Sequence, residues 1–297
     1  VYIGFDIGGT KTEIIVLDAH GEQHFKKRIP TEHDYQGFLN NIESLVLEAE
    51  RSVGGACSVG IGLPGVLDPR TGLIKNANCT FLNGHQLKKD LDARLNRSVA
   101  IANDANCFAL SEAVDGAAAG KSVVFGVILG TGCGGGLVVN QQVIGGLNAN
   151  AGEWGHNPLP GFNSEIDGNP VQCFCGGKNC LEKFVSGTGF TRQYNQHSSA
   201  QLTGPEIFAK LESGDALAKQ CYELFIDQLA RALASLINSI DPDAIVVGGG
   251  LSNVSRIYDD VKQLIPNYTI SDDVVINLYP AKYGDSSGIR GAAWLAR

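Results

Sequence analysis

The chain has 297 residues, 43% hydrophobic and 18% charged, with a formal net charge of −8. That length allows two domains with buried cores, and the acidic balance disfavours nucleic-acid binding, which needs basic surface to neutralise phosphate. There is no apolar run of about 18 residues to suggest a membrane span, and "VYIGFDIGGTK" lacks the basic n-region of a signal peptide.

In chain order, "YIGFDIGG" is an apolar run closed by glycines and "TEIIVLD" is a second. They flank a turn at Gly8–Lys11 and read as a β-hairpin. "HFKKRIP" predicts a third strand. Over residues 35–53, Phe38, Ile42, Leu45, Val46 and Ala49 recur on one helical face. "SVGIGLPG" reads as a buried strand ending in a Pro-Gly turn. "QLKKDLDARL" reads as a helix, "SVAIANDA" as a strand and "NCFALSEAV" as a helix. The order then recurs. "SVVFGVILGTG" is a strand into a glycine turn, followed by the strand "GGGLVV", a long helix over 215–240 and the strand "AIVVGGG". A helix is expected to start near Ser252. "VVINLYPA" predicts a strand and "GIRGAAWLAR" a closing helix. Two strand–glycine turn–strand units predict two domains of related topology, divided near "DGAAAGKS" at 115–122.

The glycine motifs separate by context. "GAAAGKS" has three residues between its glycines where a P-loop needs four, and it follows a helix, so it reads as a hinge. "GTGCGG" from Gly130 fits G-x-G-x-x-G, and Glu153 stands about 20 residues on. The dinucleotide fingerprint must open a helix, whose N-terminus holds the pyrophosphate. "GGLVVN" is a strand sequence instead. These glycines therefore make a hairpin turn, and "DIGGTK" at 6–11 is the same device earlier in the chain. Backbone N–H groups and the Thr10 and Thr131 hydroxyls of two such hairpins are suited to grip a polyphosphate. "VVGGGLS" is a third glycine turn, bare enough to admit a flat ring such as adenine. Asp104 lies between a strand and a helix, where it could serve as a helix cap or as a general base.

Cys57, Cys79, Cys107, Cys133 and Cys221 are isolated and expected to be buried or half-buried thiols. Cys173, Cys175 and Cys180 make C-x-C-x4-C, and His156 completes a Cys3His set of the structural zinc type. A disulfide is the alternative, but it leaves one thiol over.

"DIGGTK", "GIGLPG", "NDANC", "GTGCGGG", "GEWGH", "CFCGGKNCLE" and "DPDAIVVGGGLS" occur in that order. Together they resemble the ROK family of sugar kinases and related repressors, across nearly the whole chain. The resemblance implies an α/β fold of two actin-like ATPase (ribonuclease H-like) domains with a ligand cleft between them. The implied domains are 1–117 and 118–286, the second holding the zinc loop, with a helix at 287–297 packing back on the first. The family's repressors carry a DNA-binding segment ahead of the first motif; only five residues precede Asp6, so none is expected. "NDANCFALSEA" and "GDSSGIRGAAWL" resemble the branch acting on N-acetyl-D-glucosamine, which implies ATP-dependent transfer to the sugar 6-hydroxyl. A glucokinase or mannokinase of the same family, or a non-catalytic sugar sensor, is the alternative.

The resemblance assigns Asp104 as general base. It assigns Gly65, Asn78, Asn103, Glu153, His156 and Glu182 to the sugar. Asp6 would act through Mg²⁺. Gly8, Gly9, Thr10, Lys11, Thr131 and Gly132 would hold the ATP phosphates, and Gly249 and Gly250 would border the adenosine. Zinc on His156, Cys173, Cys175 and Cys180 would fix the loop carrying His156 and Glu182. The expected partners are a sugar and ATP, in the cytoplasm, with neither nucleic acid nor membrane; similar proteins are commonly homodimers.

Overall fold

The computed structural model describes residues 1–271 and 273–297. The strands β1 (Tyr2–Ile7) and β2 (Lys11–Leu17) form the first glycine hairpin, with Asp6 paired to Glu13. β3 (Gln23–Pro30) extends it antiparallel, and α1 (Tyr35–Val53) follows. The Asp34 side chain caps α1 by accepting from Gly37 N, and Gly54 ends it in the left-handed region at φ 73°. Its buried face is the expected one with Leu39 added. β4 (Ser58–Leu63) lies parallel to β1, and the short pair β5 (Val66–Leu67) and β6 (Ile74–Lys75) leads to α2 (Leu87–Leu95). β7 (Val99–Asn103) lies parallel to β4 and runs into α3 (Asp104–Val114). The sheet order is β3-β2-β1-β4-β7.

A second sheet is built from β8 (Val123–Leu129), β9 (Cys133–Val139) and β10 (Gln142–Val143). Three short helices come next: α4 (Glu182–Val185), α5 (Gly187–Asn195) and α6 (Gly204–Glu212). The long α7 (Ala216–Ile240) precedes β11 (Ala244–Gly248), α8 (Arg256–Leu264) and β12 (Leu278–Pro280). The order is β10-β9-β8-β11-β12. Two expectations change here. The last strand is confined to Leu278–Pro280, because within "VVINLYPA" those are the three residues in register with β11. The turn after β11 is a 3-10 segment over Gly250–Asn253, and the α-helix begins at Arg256 rather than near Ser252.

The closing helix α9 (Ser287–Leu295) lies against β1, β4 and α3. A Cβ at Gly4 or Gly60 would collide with its backbone at Ile289 and Ala292, so glycine permits this contact. Buried Glu112 on α3 fastens the helix start: it accepts from Ser287 Oγ at 2.7 Å and from Lys282 N at 3.1 Å. The chain divides into two compact units, 1–126 with 136–152 and 282–297, and 127–135 with 153–281. Among the described residues no helix is long and apolar enough to cross a membrane.

Candidate active site

In the first unit, three parallel strands end at one sheet edge. Register places Asp6 beside Gly62, Gly62 beside Ala102, and Leu63 beside Asn103. The C-terminal edge of parallel strands is where such sheets bind ligands. Asn103 is the N-cap of α3: its Oδ1 accepts from Ala105 N at 2.9 Å, and its Nδ2 donates to Gly65 O at 3.3 Å. Asp104 is the first residue of α3 and is exposed, with Oδ1 also 2.9 Å from Ala105 N. Its negative charge sits at the positive end of the helix dipole. Half-buried Asp6 is pushed up to about 6 by burial first, then by the charges of Asp104 and Glu13, with Arg28 opposing. Mutually repelling carboxylates of this kind are relieved by a hard divalent cation, whose preferred ligands are oxygens.

Gly65 and Asn78 meet at the same edge. A Cβ at Gly65 would lie 2.8 Å from the Ala77 Cα, and Asn78 N donates to Pro64 O at 3.1 Å. The Asn83 amide holds this loop by bonding both Ala77 N and Ala77 O, at 2.9 and 3.0 Å. No motif marks Asn83 in the sequence. In the first hairpin, Gly8 N donates to Lys11 O at 2.8 Å and Thr31 Oγ1 donates to Gly8 O at 2.7 Å. Gly9, Thr10 and Lys11 are exposed.

In the second unit, Gly130 N closes the hairpin on Gly132 O at 3.0 Å. The start of α5 braces it: Gly187 N donates to Gly130 O and Thr188 Oγ1 to Thr131 O, each at 2.7 Å. Glu182 Oε2 accepts from Cys133 N at 3.2 Å, so this carboxylate is seated on the hairpin itself. A cavity of about 1220 Å³ opens beside the hairpin, lined by Thr131, Gly250, Thr188, Arg192 and Phe208 among others. A Cβ at Gly249 would meet Leu129 C and O at 2.6 Å, so the third glycine turn can lie this close to β8 only without a side chain. Of the wall from α5 and α6, α5 carries no recognisable motif, whereas the capping box Thr203–Glu206 with Pro205 in the first turn is a signal that marks the start of α6.

Glu153 is exposed and precedes the 3-10 turn Trp154–His156. The donor atoms of His156, Cys173, Cys175 and Cys180 all lie within 4.8 Å of one another. His156 Nδ1 is 3.7 Å from Cys173 Sγ, and the Cys175 and Cys180 sulfurs are 3.6 Å apart, well beyond the S–S bond of about 2 Å. All eight cysteines are free, and the five isolated ones are buried. Burial, then hydrogen bonding from Cys175, pushes the Cys180 thiol up to about 12, whereas the Gly177 N–H lowers Cys175. A soft divalent cation reverses the cost of such a thiol cluster by deprotonating it.

The model of the ROK family matches residues 2–297. The chain belongs to the ROK family. N-acetyl-D-glucosamine kinases from Escherichia coli O127:H6 and Yersinia enterocolitica are 41% and 40% identical to it over 299 residues, covering 99% of each chain. A ROK hexokinase from Thermus thermophilus superposes with TM-score 0.87 at 29% identity, over 99% of this chain and 97% of that one. A ROK family glucokinase from Streptomyces griseus, solved in complex with glucose and AMPPNP, gives TM-score 0.75 at 27% identity, over 100% and 99%. The fold of the ROK family chain is thus the two-domain actin-like α/β fold of its structural relatives.

Proposed function

We infer that this chain transfers the γ-phosphoryl group of ATP to the 6-hydroxyl of N-acetyl-D-glucosamine, giving the 6-phosphate and ADP. The observation that carries the reading is full-length identity of 40–41% to kinases named for that sugar. Asp104 takes the proton of the attacking hydroxyl, and its exposed position at the strand edge suits a base that must reach substrate. Asn103, Gly65, Asn78, Glu153, His156 and Glu182 orient the sugar. Gly8, Gly9, Thr10, Lys11, Thr131 and Gly132 hold the phosphates. The cavity lined by Gly250, of about 1220 Å³, is large enough to admit a nucleoside. Mg²⁺, when bound near Asp6, offsets charge on the transferring group. Carboxylates at positions 6 and 104 weigh against a non-catalytic sensor, which needs neither. The test is ADP release across N-acetylglucosamine, glucose, mannose and N-acetylmannosamine; best turnover on plain glucose sinks the substrate assignment.

Zinc on His156, Cys173, Cys175 and Cys180 belongs to the same reading, and its support is the converging donor set. With Nδ1 facing Cys173, Nε2 of His156 is left for a sugar hydroxyl. Metal analysis of reduced protein is expected to find one zinc per chain, and chelation is expected to lower the melting temperature. A metal-free, fully active preparation rejects the site. The reducing cytoplasm suits both these thiols and ATP.

A further inference from the structure

Glu182 and Thr131, which face different substrates in the reading above, are joined by a short hydrogen-bonded ring inside the second unit. Ser186 Oγ donates to Glu182 O at 2.6 Å. Thr188 Oγ1 donates to Thr131 O at 2.7 Å. The two hydroxyls are 3.1 Å apart. The far side closes where Cys133 N, two residues after Thr131, donates to the Glu182 carboxylate at 3.2 Å. Ser186 is fully buried, caps α5 by accepting from Gly189 N at 2.9 Å, and does not line the cavity.

Each hydroxyl has one proton, so two protons serve three close contacts. If Ser186 turns to Thr188, Glu182 O loses its donor; if Thr188 turns to Ser186, Thr131 O loses its donor. The ring therefore has alternative arrangements that bear on the backbone carbonyls of Glu182, whose side chain carries the sugar-facing carboxylate, and of Thr131 in the phosphate hairpin, as a coupling element requires. We propose that Ser186 and Thr188 are positioning residues that couple sugar binding to nucleotide binding within the second unit. This rests on the assignments of Glu182 and Thr131 above. A sugar that fixes Glu182 removes freedom from the ring, and the nucleotide then meets a hairpin already ordered. The coupling is positive, because the second ligand loses less conformational entropy than the first.

The experiment is calorimetric titration of N-acetylglucosamine with and without saturating AMPPNP, together with steady-state assays. In the wild-type protein AMPPNP is expected to lower the sugar Kd about 5-fold or more. Ser186→Ala is expected to leave a factor below about 2, while the sugar Kd without nucleotide moves less than about 3-fold. Removing the cap could unfold α5, so Thr188→Val and Thr188→Ser form a second pair; the valine loses the coupling and the serine retains it. Undiminished coupling in folded Ser186→Ala or Thr188→Val overturns the proposal. So does a wild-type protein that turns over the sugar with no coupling. If the wild type phosphorylates none of the sugars, the functional reading fails first and this inference goes with it.

Discussion

At Gly8 a backbone N–H closes a turn on Lys11, and the turn is steadied by Thr31, just beyond the end of β3 of its own sheet. At Gly130 the same kind of turn is steadied from outside the sheet, by Gly187 and Thr188 at the start of α5 and by the Glu182 carboxylate. The letters are alike; the supports are not. The first hairpin adjoins Asp6, whose environment is dominated by burial and by like charge. The second adjoins a large cavity and a carboxylate that bonds the hairpin backbone. The difference teaches that one turn sequence can be held in two ways, from within its own sheet in one unit and by a helix start and a carboxylate in the other.

Four substitutions break or sharpen this contrast. The largest effect is expected from Asp104→Asn: a fall in kcat of about 10³-fold or more with sugar binding spared, read by kinetics and calorimetry. Retained turnover would place the base elsewhere. Gly132→Ala comes next. Its Cβ lies 2.7 Å from Glu182 Oε2, so the carboxylate must leave its seat, and the sugar KM is expected to rise about 10-fold. Gly9→Ala is the matched control in the first hairpin, where a Cβ meets nothing within 4 Å; its melting temperature should not move. Equal effects of the two on sugar KM would erase the contrast.

The smallest effect is on stability. Asp6 titrates higher in the fold than in the unfolded chain, so the folded state holds the extra proton between about pH 4 and about pH 6. Stability therefore falls as pH rises through that window, and the cost persists above it. Asp6→Asn should add about 1–2 kcal/mol at pH 7.5 in ligand-free protein and flatten the slope. A denaturation series that is equally steep in both proteins would remove the charge argument.

The hairpins were legible because Gly-Gly-Thr or Gly-Thr-Gly between β-branched runs leaves few other structures open. The long helices announced themselves by apolar period, as Phe38, Ile42 and Val46 do. The segment 182–195 did not. "GTGFTRQYN" is a poor helix by propensity, with two glycines and two threonines. It is helical because Ser186 caps it and Phe190, Gln193 and Tyr194 are buried against its surroundings. The α5 part of the cavity wall was therefore invisible in advance, as was the bond between Glu182 and the hairpin: no pattern in one dimension says that residue 182 touches residue 133.

The fit of α9 into β1 and β4 at Gly4 and Gly60 has a consequence for biosynthesis. The first sheet and α3 are complete by Val114, yet the helix that covers one of their faces is made some 170 residues later, from Ser287. At about 5–20 residues per second, the nascent first unit waits roughly 10–30 s with that face bare. Its native state is closed by a segment synthesised after the whole second unit, so the early part of the chain leaves the ribosome needing protection until that segment has been made.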